Sequence, residues 1–219
     1  MLLEIIRFGL PAGVQNSVIG FANVIVQSQI NSFGGFATTA YGVNGKIEGF
    51  GFLPITSFSM ALTTFISQNL GAKKYDRVKK GARFGISGGI VAAEIIGVIV
   101  FFSSPYLIRL FDETPEVIAF ATKHMHITSL FYFLLAFSHC IAALCRGAGK
   151  SFVPMIIMLC IWCVLRVIYI AIVMLLKCDI AFIYMAYPIT WAISSIIYLI
   201  YYLASDWIHG FEKKSPKQS

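Results

Sequence analysis

Six long apolar runs, separated by five short polar breaks, make up nearly the whole chain. They cover residues 8–33, 37–69, 84–108, 117–145, 152–176 and 180–204. Each exceeds the ~20 residues that a helix needs to cross ~30 Å of hydrocarbon. Several are long enough to require tilt or extension beyond the bilayer. No run alternates apolar and polar residues at period two, which argues against a membrane β-barrel. The pattern predicts an all-α, polytopic membrane protein: a six-helix transmembrane lobe over residues 1–208, then a polar tail over 209–219. The first 30 residues do not read as a signal peptide. Gln15, Asn16, Asn23, Gln27, Gln29 and Asn31 are too many amides for an apolar targeting core, and no cleavage site follows.

Composition agrees. Of 219 residues, 58% are hydrophobic and 12% charged, which a soluble domain of this size does not show. Charge adds an orientation. The second connection carries Lys73, Lys74, Arg77, Lys79, Lys80 and Arg83 against Asp76, and the fourth carries Arg146 and Lys150. The tail carries Lys213, Lys214 and Lys217. The first connection is uncharged. The third sets Arg109 and Lys123 against Asp112, Glu113 and Glu116, and the fifth has Lys177 and Asp179. The positive-inside rule places the basic loops and both termini in the cytoplasm, and the chain in the cytoplasmic membrane. The net charge of +7 follows from this bias. It points to anionic membrane lipid and not to nucleic acid.

Motifs for soluble chemistry fail on inspection. Cys140, Cys145, Cys160, Cys163 and Cys178 lie in or beside apolar runs, and the Cys160–Cys163 pair has no second pair or suitably placed His to complete a metal site. Gly147-Ala148-Gly149-Lys150-Ser151 looks like the end of a phosphate-binding loop, but Leu144 stands where the leading glycine belongs. His124 and His126 face different directions on a helix and read as interfacial residues near the outer surface. No catalytic triad or carboxylate pair survives placement on the spans. The expectation is therefore a non-enzyme with no cofactor and no metal.

Polar residues inside the spans carry the candidate chemistry. Gly13, Asn16, Gly20, Asn23, Gln27 and Asn31 recur at helical spacing and share one face. Amides cannot face acyl chains unpaired, so this face meets either a neighbouring helix or a hydrated cavity. Tyr41, Gly45, Glu48 and Phe52 share a face of the second span. Glu48 can load and release a proton, or form a structural ion pair with Lys46 or Arg166. Glu94 and Arg166 are single charges near mid-span that either pair or enter a cavity, and His139 lies in the fourth span. Pro11 and Pro54 permit bends.

Three elements together resemble the MATE (multidrug and toxic compound extrusion) efflux family. They are Gly9-Leu10-Pro11-Ala12-Gly13, the stretch from Lys46-Ile47-Glu48-Gly49-Phe50 through Leu53-Pro54 to Gln68-Asn69-Leu70-Gly71-Ala72, and Leu144-Cys145-Arg146-Gly147-Ala148-Gly149-Lys150. They occur in the family's order across nearly the whole chain. The resemblance implies the C-terminal six-helix lobe of a twelve-helix antiporter, whose two parallel repeats enclose a cavity and rock about it. It implies export of organic cations and drugs in exchange for H⁺ or Na⁺, and a need for an N-terminal lobe or a second copy. The sodium-coupled branch carries acids in its seventh and tenth helices. Val18-Ile19-Gly20 and Phe133-Leu134-Leu135 stand there instead. The expected cavity residues are Asn16, Asn23, Gln27, Tyr41 and Phe52, with Glu48 as the ion-coupling candidate and Lys46, Glu94, His139 and Arg166 as further intramembrane ionisable groups. Two alternatives stand beside this one. A flippase for lipid-linked oligosaccharides would need a strongly basic cavity, and a non-transporting fragment or accessory membrane protein would need none.

Overall fold

Helix is the only regular structure among the described residues, as a bilayer requires of any spanning segment that is not a closed barrel. The computed structural model describes residues 2–177, 179–205 and 207, with side chains from residue 9 onward except residue 12. Cys178, the tail 209–219 and its Lys213, Lys214 and Lys217 lie outside the described residues.

Helix α1 runs Leu2–Asn31, α2 Gly35–Gly51 and α3 Leu53–Gly71. Helix α4, Tyr75–Arg109, is the longest at 35 residues. Then come α5, Pro115–Thr128, a 3₁₀ turn at Ser129–Phe131, and α6, Tyr132–Gly147. Helix α7, Phe152–Met158, passes through a π-helical stretch, Leu159–Leu165, into α8, Arg166–Leu175, and α9 is Ile180–Ala204. Five of the resulting spans are long and apolar enough to cross a bilayer unaided. The sixth is α2 and α3 together, bent by 43°. Pro54 opens α3 without an amide to continue the α2 ladder, which accounts for the bend. The spans therefore follow the apolar runs, with breaks inside the second, fourth and fifth.

A stripe of small residues lets α4 approach its neighbours closely. Gly81, Gly85, Gly89, Ala93 and Gly97 recur every fourth residue. A methyl group at Gly85 would fall 2.3 Å from the Leu62 side chain, and one at Gly97 would fall 2.3 Å from the Ser129 carbonyl oxygen. Small residues at a membrane helix contact allow dispersion forces to act at short range where no hydrophobic drive exists. The central core lies between α3, α4, α6 and α9 around Leu62, Ile66, Ala93, Ala136 and Ile141. Exposed Phe84, Ile95, Phe102, Leu175 and Leu203 form the apolar outer surface that faces lipid.

Two of the motif elements are helix terminators at the basic end. After α3, Lys73 takes φ 55° while Lys74 N–H donates to the Asn69 carbonyl at 2.8 Å. After α6, Gly149 takes φ 74° while Lys150 N–H donates to the Cys145 carbonyl at 2.8 Å. Both are left-handed caps that satisfy the last carbonyls of a helix. At the opposite end Asp179 caps α9. Its carboxylate accepts from the Ala181 N–H at 2.8 Å and from Lys123 at 2.6 Å. Lys123 and then that amide hold its carboxyl below the ordinary aspartate value. A depressed pKa in the fold means the contribution is present at neutral pH and lost as pH falls through the acidic carboxylate range. Asp179→Ala is expected to destabilise the lobe by about 1 kcal/mol, as a lost N-cap does. Melting curves of the purified chain at neutral and acidic pH check this, since the difference between the two proteins should vanish at low pH.

Candidate functional site

A cavity of about 390 Å³ opens in the middle of the lobe. Every span contributes to its walls except the one formed by α4. Asn16, Ile19 and Asn23 come from α1, and Tyr41, Gly45 and Glu48 from α2. Phe52, Ile55 and Thr56 come from the bend, and Leu135 and His139 from α6. Trp162 belongs to the π-helical stretch, Arg166 to α8, and Tyr187 and Trp191 to α9. The helical spacing seen in the sequence explains these positions. Asn16 and Asn23 lie two turns apart on α1. Tyr41, Gly45, Glu48 and Phe52 fall on one face of α2.

The cavity holds one acid and one guanidinium, and they do not touch. Among the described residues, Glu48 makes no ion pair with Lys46 or Arg166. The side chains of Tyr132 and Thr128 face the Glu48 carboxyl, with Arg166 in electrostatic reach. Arg166 is 2% exposed. It donates to the Thr190 hydroxyl at 2.8 Å and sits over the Tyr187 ring at 4.6 Å and the Trp162 ring at 5.7 Å. Its Nε has no partner. A buried guanidinium held by one hydroxyl and two rings is incompletely solvated, so water or a ligand must complete its shell.

The aromatic walls are held in place from behind. Trp162 Nε1 donates to the Ser194 hydroxyl at 3.1 Å, and Ser194 in turn meets Ser138 at 3.1 Å. Tyr41 and Tyr187 share a hydrogen bond of 2.8 Å. Phe52 stands edge-on to Tyr132 at 5.1 Å, and His139 stands edge-on to Trp162 at 5.6 Å. Such walls suit a flat, apolar cation, whose charge is favoured over ring faces.

The structure brings together Asn16, Asn23, Tyr41, Phe52, Glu48, His139 and Arg166. It separates three others from them. Gln27 is exposed one turn beyond the cavity. Lys46 turns away from it, with its ammonium 5.4 Å from the Phe111 ring centre at the far end of the lobe. Glu94 opens instead on a lateral groove lined by Ile90, Val91, Ile95, Val98, Ile99 and Phe133, where the Phe133 backbone amide faces it. The aromatic residues Trp162, Tyr187 and Trp191 had no distinguishing signal, because aromatics in apolar helices look the same whether they pack or line a cavity. His124 also departs from its interfacial reading: it is 1% exposed and packed inside the lobe.

These features can be set beside known proteins. The chain is 27% identical over 203 residues to the probable multidrug resistance protein YoeA of Bacillus subtilis, covering 92% of this chain and 44% of that protein. It is 29% identical over 159 residues to the probable multidrug resistance protein NorM of Thermotoga maritima, covering 70% of this chain and 33% of that one. The solved outward-facing conformation of a multidrug resistance MATE family transporter superposes with a TM-score of 0.86 at 15% identity. That superposition spans 98% of this chain and 48% of the other, and at such identity it establishes the fold alone. The chain therefore spans less than half the length of these relatives. Residues 11–173 match the MatE family, and on that match this chain belongs to the MATE family of membrane transport proteins.

Proposed function

We propose that this lobe forms one half of a cation-coupled exporter of organic cations in the cytoplasmic membrane, with both of its termini on the cytoplasmic side. The observation that carries the reading is the cavity itself: a single carboxyl, Glu48, set among aromatic and amide side chains inside the lobe. Glu48 would exchange a proton or Na⁺ against the substrate's charge, the aromatic rings would hold its apolar body, and Asn16 and Asn23 would orient it. The polar face of α1, exposed at Asn16 and Gln27, would face a second lobe, either an N-terminal one or another copy. The family's relatives support that requirement, being about twice as long. A diphosphate lipid fits less well, because Arg166 and His139 are the only basic side chains among the cavity's described lining residues.

The test is efflux of a fluorescent organic cation from cells expressing the chain alone and with the N-terminal lobe of a full-length relative. Efflux is expected with the partner lobe. Its absence in both cases would remove the exporter reading.

A further inference from the structure

The cavity is charged on two separate walls, and the basic one lacks a counter-ion. Arg166 is 2% exposed, and Thr190, which holds it, is 1% exposed. The Thr190 hydroxyl proton goes to its own helix, with the Ala186 carbonyl at 2.8 Å and the Tyr187 carbonyl at 3.0 Å. Its oxygen thereby accepts the Arg166 Nη2–H at 2.8 Å. The Tyr187 and Trp162 rings, 4.6 and 5.7 Å from the guanidinium carbon, confine it further. All these contacts are to neutral groups. Among the described residues no carboxylate pairs with Arg166, and its Nε–H has no partner. An arginine keeps its charge in a protein, and a buried charge needs a partner. The missing acceptor therefore comes from the cavity that Arg166 lines.

The ring faces tell against a plain cation at this wall. Tyr187 and Trp162 already carry the Arg166 charge, so a second cation placed over them meets a like charge. Glu48 stands on another wall, facing Thr128 and Tyr132. Tyr41 and Phe52 share its face of α2 and line the cavity with it. A cationic ring is favoured there. Helix α1 packs against the π-helical stretch and α8, and it brings the neutral amides of Asn16 and Asn23 to the cavity. The cavity is thus dipolar, with its acid on α2 and its guanidinium on α8.

We propose that Arg166 is an anion subsite of this cavity, and that the favoured ligands are zwitterions: aromatic cations that also carry one carboxylate. This rests on the reading of the cavity as the substrate site. The cationic ring lies against Glu48, Tyr41 and Phe52. The carboxylate lies against Arg166, where a planar guanidinium meets a planar acceptor and gains the counter-ion that the protein withholds. A single carboxylate matches the wall, because one guanidinium balances one charge. A bare cation answers Glu48 alone and leaves Arg166 unpaired, whereas a zwitterion gives each buried charge its opposite.

The test compares two fluorescent dyes with one body: tetramethylrhodamine, a zwitterion, and its methyl ester, a cation. The full chain is held in lipid nanodiscs with the N-terminal lobe of a full-length relative, and empty nanodiscs correct for dye dissolved in lipid. The acid is expected to bind about tenfold more tightly than the ester, the gain from a hydrogen bond between charged groups. Arg166→Met keeps the length, removes the charge and leaves the Thr190 hydroxyl on its backbone acceptor. It should bind both dyes alike. Arg166→Lys, a point charge without the planar fork, should keep part of the preference, and it decides the matter if the methionine variant does not fold. Glu48→Gln should weaken both dyes and leave the acid preferred. Equal affinity of the two dyes for the wild type overturns the anion subsite and leaves the cavity as a substrate site. So does a preference unchanged in the Arg166 variants, or one lost in Glu48→Gln. If neither dye binds, the reading of the cavity fails and the proposal falls with it.

Discussion

Glu48→Gln is expected to abolish ion-driven exchange of an organic cation while leaving folding and expression intact. Glutamine matches glutamate in volume, so the cavity keeps its shape and its neighbours Thr128 and Tyr132 keep a polar group before them. What is lost is the one charge in the cavity that can be neutralised by a proton or balanced by Na⁺. Because the carboxyl makes no ion pair with Lys46 or Arg166, its removal breaks no direct contact with a buried charge. A structural carboxylate would behave differently, since breaking a buried pair destabilises by about 3–5 kcal/mol. Two readouts therefore separate the roles. Exchange driven by a pH or Na⁺ gradient in vesicles should fall by about 100-fold, the lower range for a lost acid–base group. The melting temperature should hardly move. A large drop in melting temperature would return Glu48 to a structural role.

Gly97→Val is expected to be the most damaging single substitution in α4. Even a Cβ at this position would sit 2.3 Å from the Ser129 carbonyl oxygen. That atom is backbone, locked in the 3₁₀ turn where it accepts the Tyr132 N–H, so it cannot swing aside as a side chain would. Relief requires α4 to part from the α5–α6 span. Overpacking typically costs about 1–3 kcal/mol and more when backbone must move, so a loss of at least 3 kcal/mol is expected. Gly42→Ala is the control. Its position is exposed on α2 with nothing within 4 Å, and alanine there should be neutral or stabilising by up to about 1 kcal/mol. Thermal unfolding in detergent measures both. Equal behaviour of the two variants would mean that α4 is not held at the distance described.

The spans were legible because hydrocarbon thickness and backbone hydrogen bonding leave little choice. A run of twenty apolar residues must cross as a helix. The break at Pro54 was legible for the same reason, through a missing amide. The breaks at Ser129–Phe131 and Leu159–Leu165 left no trace, since neither stretch contains proline or glycine and both are produced by packing. The cavity was legible where polarity conflicts with a lipid environment, as at Asn16, Asn23 and Glu48. Lys46 showed the limit of that argument. A long side chain can carry its charge to the end of the lobe and rest on Phe111, so depth of the Cα says little about depth of the charge. Glu94 showed another limit, because one carboxyl near mid-span can serve a helix break as readily as a cavity.

The π-helical stretch has a consequence for the electrostatics of the site. It holds one residue more per turn than an α-helix, and it ends at Leu165, immediately before Arg166. Were it to relax to α geometry, α8 would rotate by about 100° relative to α7, the angle that one residue subtends. Arg166 would leave the cavity wall, Glu48 would lose its counterbalancing charge, and the cavity would turn from nearly neutral to anionic. The charge on the cavity wall thus depends on the register of a single turn.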